Sequence, residues 1–164
     1  MAEKVFISHK RIDSPTAERV AQRVRANGLA TYLDVVDDAL MEDGPDLADT
    51  LLRRMGECSQ LIAVVSSSTK ISWWVPWEIG VGSEKGFRMA SYANEYVDLP
   101  SYLLKWPALR SLTDVDTYCR ISKENEIIRE ARTRYITDSG LTLRVRKALS
   151  EEFHKRLKTE LRAR

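Results

Sequence analysis

The residues best suited to chemistry in this chain are a lone carboxylate and the indoles around it, in Trp73-Trp74-Val75-Pro76-Trp77-Glu78-Ile79-Gly80. Three of the four tryptophans fall in this stretch. Pro76 suits the first turn of a helix, where a missing N–H costs nothing, and this puts Glu78 in the same turn. The stretch follows an apolar run, Leu61-Ile62-Ala63-Val64-Val65, and a polar one, Ser66-Ser67-Ser68-Thr69-Lys70. Two readings are open for a carboxylate at a helix start just past a buried strand. It can complement the helix dipole above core tryptophans, or it can be the reactive or ligand-holding group of a cleft.

Two further polar segments lie at comparable places. Ser8-His9-Lys10-Arg11-Ile12-Asp13-Ser14 follows the apolar Val5-Phe6-Ile7, and an acidic loop over 34–44 holds Asp34, Asp37, Asp38, Glu42 and Asp43. Clustered carboxylates can take a divalent cation. Here the alternating oxygen ligands before a glycine are missing, so a solvated loop is expected. Cys58, Cys119, His9 and His154 have no metal-ligand spacing, and the cysteines are expected as buried thiols.

The positioning elements follow from periodicity and punctuation. Strands are expected at 4–8, 29–33, 60–65 and 87–92, with a weaker fifth at 108–112. Ser14-Pro15 reads as N-cap and first helical residue of a helix ending at Asn27-Gly28. Pro45 opens a second helix, with Leu47, Leu51, Leu52 and Met55 inward, and Pro76 opens a third, closed by Gly86. Gly80 and Gly82 inside that helix imply close packing against another backbone or an irregular helix. A helical turn is expected over 101–105. Thr113 or Asp114 caps a further helix, and a last helix carries Val145, Leu149, Phe153, Leu157 and Leu161 at four-residue spacing. That stripe suits packing on the domain or an oligomer seam.

Alternating strands and helices predict an α/β fold, a flavodoxin-like parallel sheet with helices on both faces. In strand order 2-1-3-4-5 the ligand crevice lies beyond the carboxyl ends of the first and third strands. The segments after Ser8, Asp34 and Ser66 meet there, together with Glu78.

The 164 residues, 43% hydrophobic and 30% charged, suit one soluble domain. No apolar run is long enough for a membrane span, the apolar strand at the very start leaves no room for a signal peptide, and a cytoplasmic protein is expected. Residues 140–164 hold eight Lys/Arg against three Asp/Glu, leaving eighteen against twenty-one elsewhere. Without interleaved aromatics or a nucleic-acid motif this basic end is expected as a solvated helix face, with no nucleic-acid partner.

At these residues the chain resembles the TIR (Toll/interleukin receptor) domains. Val5-Phe6-Ile7-Ser8-His9 with Asp13 is similar to the family's opening strand and loop, and Leu33-Asp34 to the start of its BB loop. Cys58 to Ser66, then Ser72 to Ile79, resembles its third strand and W-x-x-x-E segment, here Trp74 and Glu78. The likeness spans about the first two thirds of the chain, so a TIR domain over 1–121 and a helical extension over 122–164, packed on the same domain, are expected.

The resemblance implies a function. Enzymatic members cleave the nicotinamide–ribose bond of NAD, and then hydrolyse, transfer or cyclise the ADP-ribosyl group. It implies NAD as substrate, no separate cofactor and no metal, Glu78 as the catalytic carboxylate, and Trp74 as a stacking wall. Ser8, His9, Lys10, Arg11, Asp34, Ser66 and Ser67 stand where substrate would be held. It further implies self-association on activation and, as in bacterial anti-phage members, an effector that reads a nucleotide product. Lys10 and Arg11 have the plainer reading of solvated charges, His9 that of a surface loop residue, Asp13 that of a turn residue holding the helix start, and Trp73 and Trp77 that of packing. Two rivals stand beside the enzyme: a non-catalytic TIR scaffold, and a nucleoside deoxyribosyltransferase-like enzyme.

Overall fold

The computed structural model describes residues 3–35, 46–67, 74–94 and 96–163, without the side chains of residues 34, 35, 46, 47 and 74. The acidic loop from 36 to 44, Ser68 and Trp73 lie outside the described residues.

Five strands form one parallel sheet in the order β2-β1-β3-β4-β5. They are β1 (Lys4–His9), β2 (Ala30–Val35), β3 (Gln60–Val65), β4 (Arg88–Ala93) and β5 (Ala108–Leu109). The α-helices are α1 (Ser14–Ala26), α2 (Asp46–Gly56), α3 (Trp74–Glu84), α4 (Leu112–Thr133) and α5 (Ser139–Arg162). Short 3-10 turns occupy Arg11–Asp13 and Ser101–Lys105. Residue 121 falls inside α4, and no helix among the described residues is long and apolar enough to cross a membrane.

Strand residues alternate between two cores, as a pleated sheet buried on both faces requires. Val5, Ile7, Ile62 and Val64 join α1, α4 and α5 through Val20, Val24, Tyr118 and Phe153. Phe6, Leu61, Ala63 and Met89 join α2 and α3 through Leu51, Met55 and Val75. The last helix lays Leu149, Phe153 and Leu157 into the buried interior, so its apolar stripe packs on the domain.

β5 pairs only with Ser91 and Tyr92 of β4. The Met89 N–H, beyond its reach, instead donates to Nε2 of His154 on α5 at 2.8 Å. A backbone donor that would otherwise be stranded is thereby satisfied. Burial pushes the His154 imidazole down to about 3, helped by the charges of Lys158 and Lys105, so the ring stays a neutral acceptor.

Several boundaries differ from expectation for local reasons. The turn at Arg11–Asp13 runs straight into α1, so Ser14 has helical angles and is not the N-cap. The cap of α4 is Ser111, whose hydroxyl accepts from Asp114 N while the Asp114 carboxylate accepts from the Ser111 N–H, a reciprocal capping box. Leu52 is 38% exposed and does not face inward with Leu51 and Met55. β5 is two residues long and stops short of Leu112.

Gly82 explains part of the glycine pair in α3. A Cβ there would stand 3.0 Å from Met89 Sδ and 3.3 Å from Phe87, so the helix rests closely on the sheet. Gly80 is exposed with open space around it, and nothing in the packing requires it.

Candidate functional site

The carboxyl ends of β1, β2 and β3 come together in register. Ser8 pairs with Asp34 on one side and Ala63 on the other. Ser66 follows the last residue of β3 directly. This is the edge where sequence pattern places the crevice.

α3 begins at Trp74, so Pro76 is its third residue and Glu78 its fifth. Glu78 therefore lies past the first turn, and the expected first-turn position is corrected: the helix starts two residues before the proline. A helix-dipole role weakens with that shift, because the effect falls off within the first turn. The side chain points down onto the sheet and is fully buried. There the Ser8 hydroxyl donates to Glu78 Oε2 in a short hydrogen bond.

A second link closes the same edge. Ser66 Oγ donates to Asp13 Oδ2 at 3.0 Å. Asp13 is buried, and its N–H donates to the Lys10 carbonyl at 2.8 Å. The loop after β1 is thus closed on itself and fastened to the end of β3. Asp13 occupies the N-cap position of α1 without a side-chain cap bond, and its carboxylate accepts from Ser66 instead. A sequence signal for this role exists, since a buried acid right after one strand needs a donor, and Ser66 follows the neighbouring strand.

The other expected site residues divide clearly. His9 is fully buried at the end of β1, with Nδ1 3.4 Å from the Ile7 carbonyl, so it is not a solvated loop residue. Lys10 is half-buried, and Arg11 and Ser67 are exposed at the rim. Asp34 falls inside β2 and not in the loop after it, and Trp74 is the first residue of α3 and not a residue before the helix; their side chains lie outside the described residues. Trp77 packs, partly buried, against the α2/α3 core. The two cysteines are buried free thiols, each pushed by burial up to about 12. No cluster of metal-ligating side chains occurs among the described residues.

This arrangement can hold a carboxylate in one orientation beside a polar rim of hydroxyls and cations. A carboxylate so placed can accept hydrogen bonds from a ribose and stabilise positive charge developing on its anomeric carbon.

Known proteins share parts of this chain. A sequence of Bacillus cereus (strain MSX-D12), described as a probable 3' cyclic ADP-D-ribose synthase ThsB', is 27% identical over 79 residues. That match spans 46% of this chain and 41% of the relative, well under half of its length. Among solved structures, the TIR domains of the activated Roq1 resistosome directly recognising the pathogen effector XopQ are 19% identical, with 93% of this chain and 84% of that one covered at a TM-score of 0.46. A diflavin flavoprotein A3 from Nostoc sp. is 10% identical, with 100% and 99% covered at a TM-score of 0.45. The TIR domain family model matches residues 5–120, which include nearly all of β1, the Ser8–Glu78 pair and the rest of the sheet. The chain belongs to the TIR domain family.

Proposed function

We propose that the chain is a TIR enzyme that cleaves the nicotinamide–ribose bond of NAD, in cytoplasmic anti-phage signalling of bacteria. The observation that carries this reading is Glu78, buried at the carboxyl edge of the sheet and held by the Ser8 hydroxyl. Support also comes from the family and from the Bacillus cereus relative, described as a probable cyclic ADP-ribose synthase.

In this mechanism the bond between the ribose anomeric carbon and the pyridinium nitrogen breaks heterolytically. Both electrons go to nitrogen, and nicotinamide leaves neutral without a proton donor. The positive charge left on the ribose is stabilised by the Glu78 carboxylate, whose orientation Ser8 sets. Water, or a hydroxyl of the ADP-ribosyl group itself, then attacks the anomeric carbon and loses its proton, whereas a ring nitrogen of that group attacks through its lone pair and takes over the positive charge. Attack by water gives ADP-ribose, attack by the group itself a cyclic nucleotide. In this reading His9, Lys10 and Arg11 are assigned to the diphosphate or adenosine, Ser66 and Ser67 to ribose or phosphate oxygens, and Trp74 to stacking on the nicotinamide or ribose.

Glu78 has no solvent exposure, so NAD reaches it only after its surroundings shift. Activity therefore belongs to an activated, self-associated form, whose product an effector would read. Nicotinamide release from NAD, followed by chromatography from dilute to concentrated protein, tests this. Release rising more steeply than protein concentration is expected. No release at any concentration sinks the enzymatic reading, and full specific activity in dilute monomer sinks the requirement for assembly.

The same complete burial favours a second reading, in which Glu78 is a structural acid of a non-catalytic TIR scaffold. In that case the protein self-associates and leaves NAD intact.

A further inference from the structure

The strands' amino ends, opposite the Ser8–Glu78 edge, frame a cavity of about 170 Å³. Its floor is made by the residues that directly precede three strands: Glu3 before β1, Ser59 before β3 and Phe87 before β4. One wall is the α3–β4 turn with Lys85 and Gly86, and the other is contributed by α4 and α5, through Arg129, Leu143, Arg146 and Leu149. The second wall lies beyond residue 120, outside the stretch that matches the family.

The charges in this cavity are not balanced in the same way. Its acids are already engaged: Glu3 accepts from Arg88, Gln60 and Ser59, and Glu57 pairs with Lys4 at 3.1 Å. Arg129 is held by Glu126, which also pairs with Arg88 at 3.2 Å. Two cations are different. Arg146 Nε is buried with no hydrogen-bond partner, and the Lys85 ammonium forms no hydrogen bond or ion pair among the described residues. A buried, unsatisfied guanidinium donor needs an explanation, because native structures rarely leave one. Gly86 brings these two walls together. It has a φ of +71°, and a Cβ there would lie 3.2 Å from the Lys147 nitrogen and 3.4 Å from the Arg146 carbonyl carbon.

We propose that this basal cavity is a second ligand site, for a small organic oxyanion, with a phosphate monoester bearing an apolar body the best match. Arg146 holds the phosphate through its fork of donors, Lys85 adds charge from the facing turn, and the body lies against Phe87, Leu143 and Leu149. The otherwise unpartnered Arg146 Nε–H then has its acceptor. The site depends on the helical extension, so a TIR domain ending near residue 120 would not form it.

The test uses phenyl phosphate, inorganic phosphate and benzyl alcohol as probes, followed by ¹H–¹⁵N NMR of the full chain without NAD. Its outcome is therefore independent of the role of Glu78. Phenyl phosphate is expected to shift the Arg146 Nε–H and Gly86 amide resonances saturably, while the Ser8 and Ser66 amides stay in place. Inorganic phosphate should bind about tenfold more weakly, and benzyl alcohol should leave the Nε–H unmoved. R146Q should weaken phenyl phosphate by about tenfold or more, and K85Q by about threefold. K85Q, on a turn at the cavity mouth, supplies the same comparison should R146Q not fold. The absence of a saturable shift, affinity unchanged in both variants, or benzyl alcohol binding as tightly as phenyl phosphate overturns the proposal.

Discussion

The hydroxyl of Ser8 donates to the carboxylate of Glu78 across 70 residues of sequence, and both side chains are fully buried. Ser8 belongs to the opening strand and Glu78 to the helix after the third strand, so the bond joins the two parts of the chain that most resemble a TIR domain. It works as a clamp because β1 lies between β2 and β3, which fixes the Ser8 backbone on both sides. The carboxylate is on the second turn of α3, close over the sheet edge.

If Ser8 orients Glu78, then Ser8→Ala should lower NAD turnover by about tenfold or more, from the ~1.5–3 kcal/mol typical of a hydrogen bond to a charged group. Assaying nicotinamide release alongside urea unfolding separates orientation from general damage. Turnover unchanged in a folded Ser8→Ala protein would remove Ser8 from the site.

At the other edge, Arg88 lies between the buried Glu126 and the partly buried Glu3. It bonds Glu3 at 2.5 Å and pairs with Glu126 at 3.2 Å. Burial and a hydrogen bond with Glu126 raise the Glu3 carboxyl against the pull of Arg88. Burial opposes ionisation of Glu126 as well, yet hydrogen bonds from Arg129 and Glu3 and the Arg88 charge hold it down at about 2. Arg88→Met keeps the apolar stem and takes from Glu3 its cation, while Arg129 still holds Glu126, so stability should fall by roughly 3 kcal/mol. Urea midpoints at neutral pH check this. A loss below about 1 kcal/mol would mean that Glu3 finds another partner.

His154 gives the fold a pH dependence. Its folded value of about 3 lies well below the ordinary 6.5, so between those values the unfolded chain binds more protons. The stabilisation is complete above pH 6.5 and is lost as pH falls toward 3. The steepest slope is about 1.4 kcal/mol per pH unit. His154→Gln keeps an acceptor for the Met89 N–H without a titrating ring. Its urea midpoint should be flatter than that of the parent between pH 6.5 and 5, above the range where carboxylates titrate. Identical slopes would show that His154 takes up its proton in the folded state.

Much of this molecule is legible in the sequence, and the reasons are local. β3 is apolar on both faces and stops just before Ser66, so its end and its central place in a parallel sheet follow from composition. Gly28, at a φ of +82°, closes α1 where a helix needs a left-handed residue. The two motif segments also place Glu78 at the correct edge. Other features depend on tertiary contact. The start of α3 differs from expectation because Pro76 is tolerated anywhere in the first turn, where no backbone donor is used, so proline marks a turn and not a residue. His9 reads as a loop residue because histidine has no burial signature of its own, and only the extension of β1 to residue 9 buries it. The Arg88, Glu3 and Glu126 network joins residues far apart in sequence, and no local spacing encodes it.

The central claim is that Glu78 carries the chemistry and not the fold, and Glu78→Gln tests it most directly. The amide is nearly isosteric and can still accept from Ser8, but it holds no negative charge for the developing cation. The measurement is nicotinamide release from NAD by the concentrated protein, with the wild type and the Gln variant matched for folding by circular dichroism. An active wild type and a folded variant slower by about a hundredfold or more are expected. A folded Glu78→Gln protein that releases nicotinamide at the wild-type rate would contradict the claim.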